Sequence, residues 1–341
     1  MVYVGKVAYK YAGTMPSSTD ITLKEGTTEI AGAAFSDCSG LETISIPEGV
    51  TAIGVSAFAN CTSLKAITLP KSIISMGGNL SSSAFYGCTA LKDVTILCPN
   101  VGDWWFREVD AIESVTFGEE VKTIGKSAFY YCKGLTSITI PENITSIGNE
   151  AFCICTNLAS VTIANSQASI AYNAFSGTPW MDNQPDGLIC IGQVAYRYKG
   201  EMPEGTNVVI KDGTIEIADH AFYSCSGMTS VDIPNSVKTI GNYAFSGCSG
   251  LESIVIPEGI DSIGNYAFQY CRGLQSAAIP GSATSVGSSV FADCENLASV
   301  TLHEGIADIN TSMFSNCKKL ASVDIPASVK SIGYNAFYGC I

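Results

Sequence analysis

The sequence predicts a repeat solenoid of the α/β type. Short parallel strands stack along one axis, joined by 3₁₀-like or irregular returns and interrupted by β-hairpin insertions. Three observations predict it. Phenylalanines recur from Phe35 to Phe337, and nine of the twelve steps between them equal the step from Phe245 to Phe268. The same apolar word surrounds each one, and eleven of the fourteen cysteines stand three positions after it. A unit this short cannot bury its apolar face alone, so neighbours must stack and share one core.

One full copy of the word reads Leu251, Ile254, Ile256, Pro257, Ile260, Ile263, Gly264, Ala267, Phe268, Cys271. Its I-x-I segment alternates as a half-buried strand does. Pro47, Pro70, Pro141, Pro234, Pro257, Pro280 and Pro326 close their strands, where a missing N–H does least harm. Glycine after the last isoleucine supplies a turn. The A-F-x-x-C stretch is too short for a regular helix and reads as a tight return. Val109 and Thr178 replace the cysteine in two units. The position therefore wants a small, buried side chain, and free cysteine behaves as one. Stacked cysteines would point in parallel rather than converge, which disfavours disulfides. No C-x₂-C pair suggests zinc. Cys98, Cys153 and Cys190 lie off the ladder, without basic neighbours that would activate a thiol.

The three irregular steps run from Phe58 to Phe85, from Phe85 to Phe106 and from Phe175 to Phe222. The last and longest holds "IGQVAYRYKGEMP" from Ile191, which matches "VGKVAYKYAGTMP" from Val4 at a constant offset. Gly5-Lys6 and Gly192-Gln193 each join two alternating runs, which fits a II′ hairpin turn standing off one edge of the array. Three segments follow: residues 1–177 as a first module opening with a hairpin, 178–216 as a hairpin-containing insertion continuous with the array, and 217–341 as a second set of repeats. Met1 aligns with Leu188, inside the opening of the module, so the array is expected to extend upstream.

The L-x-x-I-x-I pattern resembles the leucine-rich repeat, and the full word ending in A-F-x-x-C resembles the BspA-like bacterial leucine-rich repeat family. The resemblance covers essentially the whole chain. It implies a secreted or cell-surface protein, with its signal peptide outside this chain, that adheres to host matrix proteins or to other cells. One departure is plain. The asparagine-ladder position holds Gly49, Ser72, Ser236, Gly259, Ser282, Gly305 and Ser328, with asparagine only at Asn143, so a Pro-x-Gly/Ser turn is expected there.

Composition narrows the function further. The net charge is −13. That argues against nucleic acid, which needs clustered Lys and Arg, and against anionic membrane surfaces. No run approaches the length of a membrane-spanning helix. The outward strand positions are serine and threonine, with Asp232 and Asp324 as isolated carboxylates, so groups for proton transfer are lacking. The two histidines, His220 and His303, lie more than three repeats apart. No phosphate-loop, nucleophile-elbow or cofactor motif is present. An enzyme is therefore disfavoured, and no cofactor is implied.

Aromatic residues are the remaining candidates for contact. Trp104 and Trp105 precede Phe106 in the shortened repeat, as a plug or a binding spot. Trp180 enters the insertion as an anchor or a contact. Tyr130, Tyr131, Tyr266 and Tyr270 flank the repeat phenylalanines, and Tyr196 and Tyr198 lie in the hairpin. Such side chains offer rigid area with a polar tip. The expected partner is a protein, foremost a host extracellular-matrix protein. A glycan-binding solenoid and a structural spacer of a larger surface protein are the alternatives.

Overall fold

A computed structural model describes residues 1–79 and 83–341 in two compact units, Met1–Gln184 and Pro185–Ile341. Most coils of the chain carry a short strand over the I-x-I segment. In Ser137–Ile140 the serine and threonine are exposed while both isoleucines are buried. Ser137 pairs with Ser160 and Thr139 with Thr162 in parallel register, so like residues lie above like. The fixed period thus turns one apolar alternation into a continuous inner face.

A second short strand, which the alternation of the sequence does not predict, follows in most coils. Thr123–Ile124, Ser146–Ile147 and Ser169–Ile170 are examples, each pairing in parallel with its counterpart. The isoleucine is buried, and in most coils the next residue is glycine. A Cβ on Gly264 would lie 2.5 Å from the backbone nitrogen of Asn242. At Gly264 the missing side chain is what permits this approach between coils.

The α/β expectation is corrected here. Among the described residues the only helix is Pro179–Asp182, a single turn. The returns are single turns closed by i→i−3 bonds, such as Cys132 N–H to Phe129 O at 3.3 Å. Left-handed residues stand two before and two after the phenylalanine. Ser127 and Tyr131 have φ of 50° and 64°, and Glu150 and Ile154 both have φ of 58°. These repeated reversals of backbone hand keep a helix from propagating. The amides that the breaks free bond to the next coil instead. Ser127, Phe129 and Tyr131 donate to Asn149, Ala151 and Cys153 carbonyls at 2.8, 2.8 and 2.9 Å.

The phenylalanines fill the interior as a column of parallel rings. Six successive contacts run from Phe35 to Phe175 at 5.1–5.4 Å, and five from Phe222 to Phe337 at 5.1–5.9 Å. Every ring of the series except Phe337 is fully buried.

Both hairpins form with tight turns, Val4 facing Val7 and Ile191 facing Val194. Gly5 and Gly192 have φ of 61° and 58°, the positive φ that the first central position of a II′ turn requires. They do not stand off an edge. Val7–Lys10 pairs in parallel with Glu29–Ile30, and Val194–Lys199 with Glu216–Ile217, so each hairpin is the terminal rung of the short-strand sheet in its own unit.

The expected Gly/Ser turn is also present, with a specific wiring. Ser72 Oγ accepts from Gly49 N–H at 3.0 Å and donates to Val50 O at 2.7 Å. Ser328 repeats this with Gly305 and Ile306 at 3.0 and 2.9 Å. At the same position Asn143 reaches the Gly118 and Val121 carbonyls with its side-chain amide.

Candidate functional site: an aromatic surface on a thiol-lined core

The cysteine ladder belongs to the architecture. Nine of its thiols donate to the carbonyl of the phenylalanine one coil earlier, for example Cys271 to Phe245 O and Cys294 to Phe268 O at 3.2 and 3.1 Å. Burial pushes Cys155 and Cys317 up to about 12 and Cys38 up to about 11, away from reactive thiolate. Thr178 stands in the ladder for a different reason. Its Oγ1 donates to Phe175 O at 2.7 Å and accepts from Met181 N–H at 3.2 Å. That caps the short helix Pro179–Asp182. Off the ladder, Cys98 and Cys153 are buried and Cys190 is exposed.

In unit Met1–Gln184 the two tryptophans separate. Trp105 is 3% exposed and occupies the alanine position before Phe106, lying against Gly102. It fills the shortened coil and presents nothing to a partner. Trp104 is half-buried in the left-handed position, φ 59°. Trp180 packs edge-on against Phe175 at 5.0 Å with its backbone amide on Leu158 O, closing that end of the ring column. Tyr130 and Tyr131 lie 6.2 Å apart near parallel. The Arg107 guanidinium is 4.3 Å from the first ring and the Lys133 ammonium 3.9 Å from the second.

In unit Pro185–Ile341 the hairpin tyrosines turn inward. Tyr196 is 3% exposed, and Tyr198 continues the phenylalanine column, its ring 6.5 Å from Phe222. Tyr196 is therefore a core residue, contrary to its reading as a contact. A second ring column runs outside the first. His220, Tyr243 and Tyr266 occupy the left-handed position of successive coils and stack at 4.8 and 4.7 Å with interplanar angles of 21° and 11°. Tyr223 and Tyr270 are 53% and 43% exposed in the same return segments. Beside the rings runs a ladder of amides and a carboxylate. Asn242 donates from Nδ2 to Asp219, and Asn265 from Nδ2 to Asn242 Oδ1, at 3.1 and 3.2 Å. Burial lowers the basicity of His220, while the Asp219 charge opposes that shift. Grouping by tyrosine leaves the histidine out, although all three are spaced by one repeat.

The outward strand face is dominated by hydroxyls and holds two carboxylates beyond those read from the sequence, Asp20 and Asp93. Thr43 donates to the first at 2.5 Å and Ser114 to the second at 2.6 Å. His303 sits 3.4 Å from Glu258, on a different coil from His220. Among the described residues, no group of three or more His, Cys, Asp or Glu side chains is arranged to hold a metal ion. No described helix is long and apolar enough to cross a membrane.

Paired strands in successive coils, an I-x-I inner face and hydrogen-bonded Ser or Asn turns define a leucine-rich repeat solenoid. The family model described as the BspA-type leucine-rich repeat region, in six copies, matches residues 6–98, 78–198 and 215–341, and the chain belongs to that family. A comparison of the sequence with curated proteins finds no match. Among solved structures, it is similar to a leucine-rich cell surface protein from Faecalibacterium prausnitzii, at 28% identity, 83% of this chain, 79% of that one and a TM-score of 0.39. It is similar to a leucine-rich repeat protein from Bacteroides ovatus at 23% identity, over 95% and 85% of the two chains, TM-score 0.35. The pneumococcal vaccine antigen PcpA matches at 20% identity over 96% and 77%, TM-score 0.34.

Proposed function

We propose that the chain is a non-enzymatic, secreted or cell-surface protein-interaction module that mediates adhesion, with a host extracellular-matrix protein as partner. The observation that carries this reading is the outer column His220–Tyr243–Tyr266. A sugar ring stacks on an aromatic face, yet Tyr243 has a ring against each of its faces. It offers only its edge and its phenol oxygen, which suit the side chains and backbone of a protein surface. The column is also held before binding by inter-coil bonds such as Tyr243 N–H to Asn265 O at 2.9 Å. Little conformational entropy is then lost on contact.

Surface-plasmon binding of the chain to fibronectin and fibrinogen tests the reading, with a Tyr243→Ser/Tyr266→Ser variant alongside. Saturable binding that weakens at least tenfold in the variant, with circular dichroism unchanged, is expected. Absence of binding to both matrix proteins, together with saturable binding to a glycan array, would replace this reading with the glycan one.

A further inference from the structure

An open cleft lies beside the shortened coil at Phe106 in unit Met1–Gln184, on the side of the coils that carries the residue two after each phenylalanine. In neighbouring coils that position bears Asp37, Asn60, Glu108 and Tyr131, but Gly87 leaves it empty. A Cβ at Gly87 would stand 2.3 Å from Asn60 Oδ1, so that oxygen lies over the gap. Asn60 donates from Nδ2 to Asp37 at 2.8 Å, which fixes the amide with its acceptor toward Gly87. Glu108, Asp110 and Tyr131 line the cleft as well, and so does Tyr86, 47% exposed.

Around this space stand two tyrosine rings, the Asn60 and Asp110 acceptors, the Thr62 and Thr89 hydroxyls, and Glu108, which already pairs with Arg107 at 2.9 Å. The rings and the two acceptors complement a cation with many donors. The molecule already demonstrates the preference. The Lys133 ammonium rests 3.9 Å from the Tyr131 centroid and 3.4 Å from Asp110 Oδ2. That ion pair is exposed on both sides, 39% and 54%. Ion pairs this open to solvent are weak, so Lys133 yields to a better cation at little cost. A guanidinium is better matched. It is planar, more weakly hydrated than an ammonium, stacks on tyrosine and forks onto a carboxylate.

We propose that this cleft receives an arginine side chain of the protein partner, with Tyr86 and Tyr131 against its faces and Asp110 and Asn60 Oδ1 as acceptors. The proposal rests on the protein-interaction reading and names one contact within it. The chain's net charge of −13 favours the approach of a basic segment.

Protein-observed NMR of the tyrosine ring resonances, titrated with Nα-acetylarginine methylamide and the lysine and alanine analogues, tests it directly. The arginine probe should saturate Tyr86 and Tyr131 shifts, more strongly than the lysine probe and more weakly in high salt. Lys133→Ala should tighten its Kd about threefold by removing the resident competitor, and Asp110→Asn should weaken it by at least as much. Both side chains reach solvent, so the fold survives. Equal responses to the arginine and alanine probes, or no gain in Lys133→Ala, would overturn the proposal. Saturation by N-acetylglucosamine instead would assign the cleft to a sugar. Matrix-protein binding that persists in Asp110→Asn would leave the wider function intact while removing this contact from it.

Discussion

Replacing Phe129 by alanine tests whether the interior ring column carries the fold. Phe129 is fully buried, with Phe106 and Phe152 stacked at 5.3 Å on its two faces and Phe117 edge-on at 6.2 Å. Loss of transfer energy together with the cavity costs about 3–5 kcal/mol for a buried phenylalanine. Three ring contacts, each worth about 0.5–1.5 kcal/mol, place this site at the upper end, about 5 kcal/mol. Phe337 supplies the internal control. It is partly buried and stacks on Phe314 at 5.5 Å, so its truncation should cost about 1–2 kcal/mol. Urea unfolding followed by circular dichroism reads both, with separate transitions fitted if the units unfold apart. Costs for the two variants within about 1 kcal/mol of each other would refute nearest-neighbour stacking as the source of stability.

Other substitutions and conditions probe the parts around the column. Ile154 is a β-branched residue at φ 58°, in a position where Asn60 and Asn316 occur elsewhere. Ile154→Asn should raise stability by about 1 kcal/mol in the same urea assay. Thr178→Val should cost about 1 kcal/mol by uncapping Pro179–Asp182, and Thr178→Ser should restore most of it. The ladder thiols predict a pH dependence with a definite sign. Their folded values are raised, Cys38 and Cys225 to about 11 and Cys155 and Cys317 to about 12, from an ordinary 9.0. The unfolded chain therefore loses these protons first. The stabilisation is complete below pH 9 and falls between pH 9 and about 12. Unfolding midpoints measured from about pH 7 to about pH 10.5 should decline above 9, and a flat profile would contradict the buried ladder.

The regular half of each coil is legible because its signal is local. Alternation over I-x-I shows within a few positions, and the structure pairs those positions in register at Ser137–Ile140 and Ser160–Ile163. The short second strand is not legible. Ser146–Ile147 is minimal in length, and its partners lie one full repeat away on either side, so nothing nearby distinguishes it from a turn. The left-handed positions are hidden for another reason. Glycine marks them at Gly87, Gly177 and Gly247, but Ser127, Glu150 and Tyr266 adopt the same conformation under inter-coil hydrogen bonding. Among the contact candidates, Tyr198 carries a readable signal of its interior place. Its distance from Phe222 exceeds the repeat by one position, and Tyr11 stands at the same distance from Phe35. The two make equivalent bonds to the next coil, Tyr198 N–H to Ala221 O at 2.7 Å and Tyr11 N–H to Ala34 O at 2.8 Å.

The recurrence of cysteine three positions after phenylalanine follows from one buried carbonyl. Phe245 O accepts the Cys248 N–H of its own turn at 3.1 Å, which leaves a second lone pair facing the next coil. The surrounding side chains are fully buried, so a donor there must come from the protein. Cys271 Sγ supplies it at 3.2 Å while filling the space with polarizable, apolar volume. Serine would donate more strongly but would bring a hydroxyl into a site walled by phenylalanine rings, with desolvation to offset. Val109 shows that the fold tolerates losing the weak bond at one coil, and Thr178 shows that oxygen appears where it has a second task as a helix cap. On these grounds Cys271→Ala should cost more than the weak bond alone, because it also leaves a void, and Cys271→Val should recover the packing share. If calorimetry placed Cys271→Val below Cys271→Ala in stability, the space at the ladder would be too tight for a branched side chain, and Val109 would owe its place to the shortened coil beside it.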